Sequence, residues 1–323
     1  MTDGTSTELA EMRSVALIIN KYFEIPTPLL FSPSLSEKLE AEVWLKCEFS
    51  NPIGAFKLRG GLNLISALAG KNCSHVVTAS TGNHGQSIAY AARLFQIAAT
   101  IFVPENANPD KADSIKRFGA EIKYVGDNFD SCRSAAIEYS RESNARYIHP
   151  ANERELLIGV GTAAMEVLDE GGQLENVDVV IVPVGGGSGV CGWILARDEL
   201  SSPTKIWATQ SVQASAAYES WTSGKLVTSP NLTTSEGLST GDGYSLTQEI
   251  MRNGLDDFIL ADDSEINDAV AVMLETQHLL LEPAGAAALA AAIKAKESIK
   301  SKRVVLVCSG SNISRAQLKK IIN

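Results

Sequence analysis

The sequence predicts an α/β fold built on mostly parallel, twisted sheets flanked by helices. Three observations carry this expectation. Short apolar runs alternate with longer amphipathic segments along all 323 residues. The runs are apolar enough to be covered on both faces, as parallel strands are. Three of them end directly in small, polar, glycine-bearing turns, where open parallel sheets place their ligands.

In chain order, strands are expected over 41–48 and 75–80, each a short run rich in β-branched or aromatic residues. A helix follows over 85–95, then a strand over 99–104. Asn108-Pro109-Asp110 is a helix start and Gly119 a stop, which frames a helix between them. A strand over 121–126 and helices over 128–143 and 161–170 come next. Strands over 177–185 and 204–210, a helix over 264–280 and a strand over 303–310 complete the pattern. With 45% hydrophobic and 20% charged residues, the chain can bury one large core or two medium ones. No repeat, low-complexity tract or linker divides it, so two domains would be interleaved rather than in series.

The formal charge of −10 gives no reason to expect nucleic acid or an anionic membrane as a partner. The start, "MTDGTSTELAEMR", has no basic, apolar signal region, and "LLLEPAGAAALAAAI" is interrupted by Glu282 and too short to span a bilayer. Five cysteines without metal-type spacing and only four histidines argue for reduced thiols, a cytoplasmic setting and no metal site.

Four stretches carry candidate chemistry. In "NPIGAFKLRGG", Lys57 follows a Gly-Ala-Phe turn; a desolvated lysine there has a lowered pKa and serves as nucleophile and base. A solvated surface lysine is the plainer alternative. "VPVGGGSGVCG" sets Gly185, Gly186, Gly187, Ser188 and Gly189 between a strand and a helix, so backbone N–H groups can converge on a phosphate. It lacks the Gly-Lys-Ser/Thr ending of a P-loop and could be a tight turn alone. "ASTGNHGQS" offers Ser80, Thr81, Asn83 and a helix start to a carboxylate, or is a plain cap. "VCSGSNIS" ends a strand in Ser309, whose hydroxyl can donate to a ring nitrogen.

In this order, and with "EPAGAAALAA", these motifs resemble the tryptophan-synthase-β-like (fold type II) pyridoxal-phosphate enzymes, nearest the serine/threonine dehydratase and serine racemase branch. The resemblance implies two interleaved domains with the cofactor in the cleft between them: a large one from 1–52 and 152–323, and a small one from 53–151. It implies that Lys57 forms the Schiff base and that Phe56 lies against the ring. Asn83 would meet the phenolic oxygen, Gly185 to Gly189 the phosphate, and Ser309 the pyridine nitrogen. Ser80, Thr81, Gly82, Asn83 and His84 would bind the substrate carboxylate. Glu282 and Glu236 match acidic positions near the cofactor. A homodimer is a further expectation of the family.

A neutral serine at the ring nitrogen leaves the cofactor a weaker electron sink, which favours prompt loss of a β-substituent. The reaction expected is therefore β-elimination from a small β-hydroxy amino acid to a 2-keto acid and ammonia, with Lys57 as base. Serine, threonine and 3-hydroxyaspartate all fit, and Arg133 would favour the last by meeting a second carboxylate unless it is a solvated helix arginine. Racemisation is the alternative, with Thr81 as the second acid/base. β-Replacement fits less well, because those relatives usually carry threonine where this chain has His84. A nicotinamide enzyme lacks its ribose-binding acid, and a non-catalytic cofactor-binding regulator is disfavoured by Lys57, Asn83 and Ser309 together. Ile53, Ala55 and "GSN" depart from the family pattern. So do Gln210 and Ala216, where the racemase branch has an acidic cation site.

Overall fold

The protein is described from a computed structural model covering residues 7–322. Among the described residues ten strands form two sheets: β1 (Leu29–Phe31), β2 (Glu42–Cys47), β3 (His75–Ala79), β4 (Ala98–Val103), β5 (Glu121–Tyr124), β6 (Arg146–Tyr147), β7 (Val179–Pro183), β8 (Lys205–Ser211), β9 (Asp257–Ala261) and β10 (Arg303–Cys308). The larger sheet runs β1-β2-β10-β7-β8-β9 and the smaller β5-β4-β3-β6. Every pairing is parallel except that of β1 with β2. Helices cover both sheets, so β7, Val-Val-Ile-Val-Pro, is buried at all five positions. This is the α/β architecture that the sequence predicts.

The seven expected strands are present, each within a few residues of its expected limits. β1, β6 and β9 were not expected from the sequence. β1 and β6 have only 3 and 2 residues, too short to leave a periodic signal. Asn108 caps its helix as expected, its side chain accepting from the Asp110 N–H ahead of Pro109–Arg117, while Gly119 follows at φ +94°.

The helix expected over 161–170 runs instead over Arg154–Leu168. Its early part is masked in sequence by Gly159 and Gly161, residues of low helix propensity. Close approach explains the first of them. A Cβ on Gly159 would lie 2.5 Å from the Arg59 carbonyl oxygen, and one on Gly60 would lie 2.7 Å from that of Leu156. The helices Lys57–Gly70 and Arg154–Leu168 thus touch backbone to backbone. One continuous cluster of buried side chains includes Ile101 of the smaller sheet and Val180 of the larger. No helix among the described residues is long and apolar enough to cross a membrane.

Candidate active site

The turns that follow β3, β7 and β10 meet at one cavity of about 440 Å³, together with the start of the helix Lys57–Gly70. Lys57, Ser80, Thr81, Gly82, Asn83, His84, Gly185, Gly186, Glu282 and Ser309 all line it. Residues widely separated in sequence meet because parallel strands bring their carboxyl ends to one side.

Lys57 is the first residue of its helix. The Phe56 N–H donates to the Ser309 carbonyl (3.0 Å), and Ser87 Oγ donates to the Lys57 carbonyl (2.7 Å). The Lys57 Nζ donates to Ser188 Oγ at 2.6 Å and lies 5.1 Å from the centre of the Phe56 ring. Burial pulls its pKa down from 10.5 to about 8. About a tenth of this amine is therefore unprotonated at pH 7, far more than for a solvated lysine.

The glycine turn is a cradle that side chains would fill. Gly187 holds φ +96°, and a Cβ there would fall 2.9 Å from the Thr247 Cβ. At Gly185 a Cβ would meet the Gly237 carbonyl oxygen at 2.6 Å. The helix Ser188–Glu199 begins inside this turn, so its first N–H groups have no partner within the helix. Gly189, Phe56 and Ser309 border a second, smaller void of about 10 Å³ beneath the cavity.

On the opposite side the helix Asn83–Leu94 starts directly from the turn after β3. Asn83 Nδ2 donates to Glu282 Oε1 at 2.6 Å, and burial pushes the Glu282 carboxyl up despite the nearby Lys111. His84 Nε2 lies 3.2 Å from Thr78 Oγ1, and burial holds the imidazole well below its usual pKa, so the ring is neutral. Ser309 Oγ donates to the Ala284 carbonyl at 3.2 Å.

Lys111 on this wall carried no signal of its own in the sequence. Lys111, from the helix Pro109–Arg117, forms an ion pair with Glu236 at the cavity mouth. Tyr244 lies edge-on to His149, ring centres 4.9 Å apart. Asn312 lies behind the wall and supports Asn83. Arg133 is not on the wall: its guanidinium is engaged by Asp242 and Asp130, each at 2.9 Å, and these two carboxylates face the cavity. Gln210 accepts from the Tyr218 N–H (3.1 Å), and Ala216 opens a short helix. Among the described residues no group of three or more His, Cys, Asp or Glu is placed to hold a metal ion.

A buried amine of lowered pKa condenses with carbonyl groups, and a cradle without Cβ atoms beside it accepts a phosphate. These residues therefore fit a phosphate-bearing aldehyde. Comparison with known proteins identifies such a family. Residues 21–310 match the model of the pyridoxal-phosphate dependent enzymes. The chain is 34% identical over 289 residues to an L-threonine ammonia-lyase of Geobacter sulfurreducens, covering 89% of this chain and 71% of that protein. It is 30% identical over 293 residues to a beta-hydroxyaspartate dehydratase of Paracoccus denitrificans, covering 90% and 92% of the two. The solved structure of maize serine racemase superposes with a TM-score of 0.88 at 31% identity, covering 96% of this chain and 95% of that one. By motif, by cradle and by these likenesses, the chain belongs to the pyridoxal-phosphate-dependent enzyme family of fold type II.

Proposed function

We propose that the protein eliminates the β-hydroxyl from a small β-hydroxy amino acid, yielding a 2-keto acid and ammonia. The observation that carries this reading is the Lys57 amine, buried, lowered to about 8, and 2.6 Å from the Ser188 hydroxyl at the cavity where the three turns meet. Lys57 and the cradle of Gly185 to Gly189 would hold pyridoxal phosphate, with Phe56 against its ring, Asn83 toward its phenolic oxygen and Ser309 at its nitrogen. When bound, that cofactor draws off the electron pair released at the substrate Cα.

This chain's residues supply the rest. The turn Ser80–His84 receives the substrate carboxylate at the start of a helix, where backbone N–H groups and the dipole favour an anion. Once free, the Lys57 amine takes the Cα proton as general base, its pKa close to working pH. The β-hydroxyl then leaves with a proton as water, and hydrolysis returns that water as the C–N bond is lost. Ser188 steadies the amine from one side, and burial of Lys57 keeps water from competing for it. The separation of strands between the two sheets supports a small domain of 53–151 set against 1–52 with 152–323.

The test is Lys57→Ala, assayed for Schiff-base absorbance and for keto acid from L-serine, L-threonine and L-threo-3-hydroxyaspartate. Loss of both supports the reading, and survival of both ends it. A second reading, racemisation, is favoured by the Thr81 hydroxyl on the same cavity and by the likeness to serine racemase. Cα–deuterium exchange with inversion that disappears in Thr81→Ala would establish it; elimination without inversion would exclude it.

A further inference from the structure

Two residues beyond Lys57, Arg59 enters a buried network in which two positive and two negative side chains balance. Arg59 Nε and Nη2 grip the two oxygens of Glu48 at 2.7 and 2.9 Å, while Nη1 and Nη2 grip those of Glu166 at 2.7 and 2.9 Å. Nη1 also donates to Thr162 Oγ1 at 2.9 Å and Nη2 to Thr27 Oγ1 at 3.1 Å, so every guanidinium N–H is used. Lys46 spends its three hydrogens on Glu166 (2.5 Å), Gln173 (2.6 Å) and the Thr27 carbonyl (3.0 Å). Lys46 and Arg59 are wholly buried, Glu48 is 1% exposed and Glu166 9%.

The network sits where it can act on the site. Gly159, Thr162 and Glu166 recur at i, i+3 and i+7, one face of their helix, and that face meets the first turn of Lys57–Gly70. Glu48 borders the small void shared with Phe56 and Ser309. Buried ion pairs add little stability over apolar packing, so such a network is best explained by what it fixes.

We propose that Arg59 is the positioning residue of Lys57: clamped between Glu48 and Glu166, it fixes the helix's first turn within a network whose formal charges cancel, so that no net charge is added beside the amine. This rests on the reading of Lys57 as the cofactor lysine. Of the other titratable groups, His84 and His149 are neutral through burial and Glu282 lies beside Asn83. On the same cavity Lys111 is paired with Glu236, Asp130 and Asp242 are paired with Arg133, and burial raises the pKa of the Tyr244 hydroxyl. Arg154, on the same helix as Glu166, is matched by Glu8 and Glu11 of the helix Thr7–Ile19.

The test uses the full chain without cofactor and reads reductive methylation at Lys57 by mass spectrometry across pH. Glu48→Gln leaves the network with net positive charge and should lower the midpoint by about one pH unit, whereas Lys46→Met leaves it negative and should raise it by about one. A merely structural role would move both in one direction. Shifts of like sign, or none with the circular dichroism spectrum retained, would overturn the proposal. Should either single variant fail to fold, Arg59→Lys keeps the charge but loses the double bidentate grip. It should retain the parent midpoint yet capture pyridoxal phosphate about tenfold more slowly; capture at the parent rate would overturn the proposal. Because the midpoint is read at Lys57 without cofactor, it stands apart from the loading of Lys57→Ala, which tests the cofactor-lysine reading.

Discussion

Asn312 Nδ2 donates at once to Asn83 Oδ1 (2.7 Å) and to the Ile53 carbonyl (2.8 Å), tying the turn after β10 to the helix start after β3. With its oxygen held by Asn312 and one amide hydrogen on Glu282, Asn83 has its remaining hydrogen fixed in direction. Asn312→Ala should weaken pyridoxal-phosphate affinity about tenfold, the loss of one to two hydrogen bonds' worth of orientation. Absorbance titration of the cofactor-free protein measures this, and an unchanged dissociation constant would remove Asn312 from the site.

Gly187 combines a positive φ with contact against Thr247, so no side chain fits there without movement. Gly187→Ala should cost about 1–3 kcal/mol of stability from strain in the left-handed region alone. It should also displace the first N–H groups of the helix behind it and weaken binding of free phosphate and of the cofactor together. Retained phosphate affinity with lowered stability would mean that the cradle lies elsewhere.

His149 provides a pH signature. Its Nδ1 accepts from the Ala151 and Asn152 N–H groups at 3.0 and 2.9 Å, and burial lowers its pKa from 6.5 to about 4, with Arg133 and Lys57 adding to the effect. Between those two values the unfolded chain binds more protons than the folded one, so stability falls as pH drops from about 6.5 toward 4. His84 acts in the same direction. Urea denaturation at pH 7.5 and pH 5 should show a smaller difference for His149→Asn than for the parent; an equal difference would assign the acid sensitivity elsewhere.

The sequence made the three strand-end turns and Lys57 legible because their chemistry is local: glycine, hydroxyl and amide residues concentrated at the ends of apolar runs. It did not reveal Lys111, whose lysine in "NPDKAD" is indistinguishable from a solvated one until the helix is placed opposite Glu236. Arg59 was visible only as a neighbour of Lys57, since its partners Glu48 and Glu166 are 11 and 107 residues away. The helices starting at Lys57 and Pro283 were not expected either. Both are buried over much of their length, which erases the amphipathic period that marks surface helices.

Arg133 was expected to meet a second substrate carboxylate, and kinetics can test that role against a structural one. The guanidinium already has two protein carboxylates, Asp242 from the segment over the cavity and Asp130 from its own helix, and it lies about 30% exposed behind the wall. A role in holding the segment 239–244 in place predicts that Arg133→Ala raises KM for serine, threonine and 3-hydroxyaspartate by similar factors. A role in binding a second substrate carboxylate predicts instead a loss of tenfold or more for 3-hydroxyaspartate alone, as expected when a charge-assisted pair is removed. Asp242→Asn separates the two further. It weakens the hold on the segment, which should raise KM generally, but it frees one face of Arg133 for a dicarboxylate, which should lower KM for 3-hydroxyaspartate relative to serine. With both carboxylates in place we expect the uniform pattern for Arg133→Ala, and steady-state kinetics on the three substrates decides it.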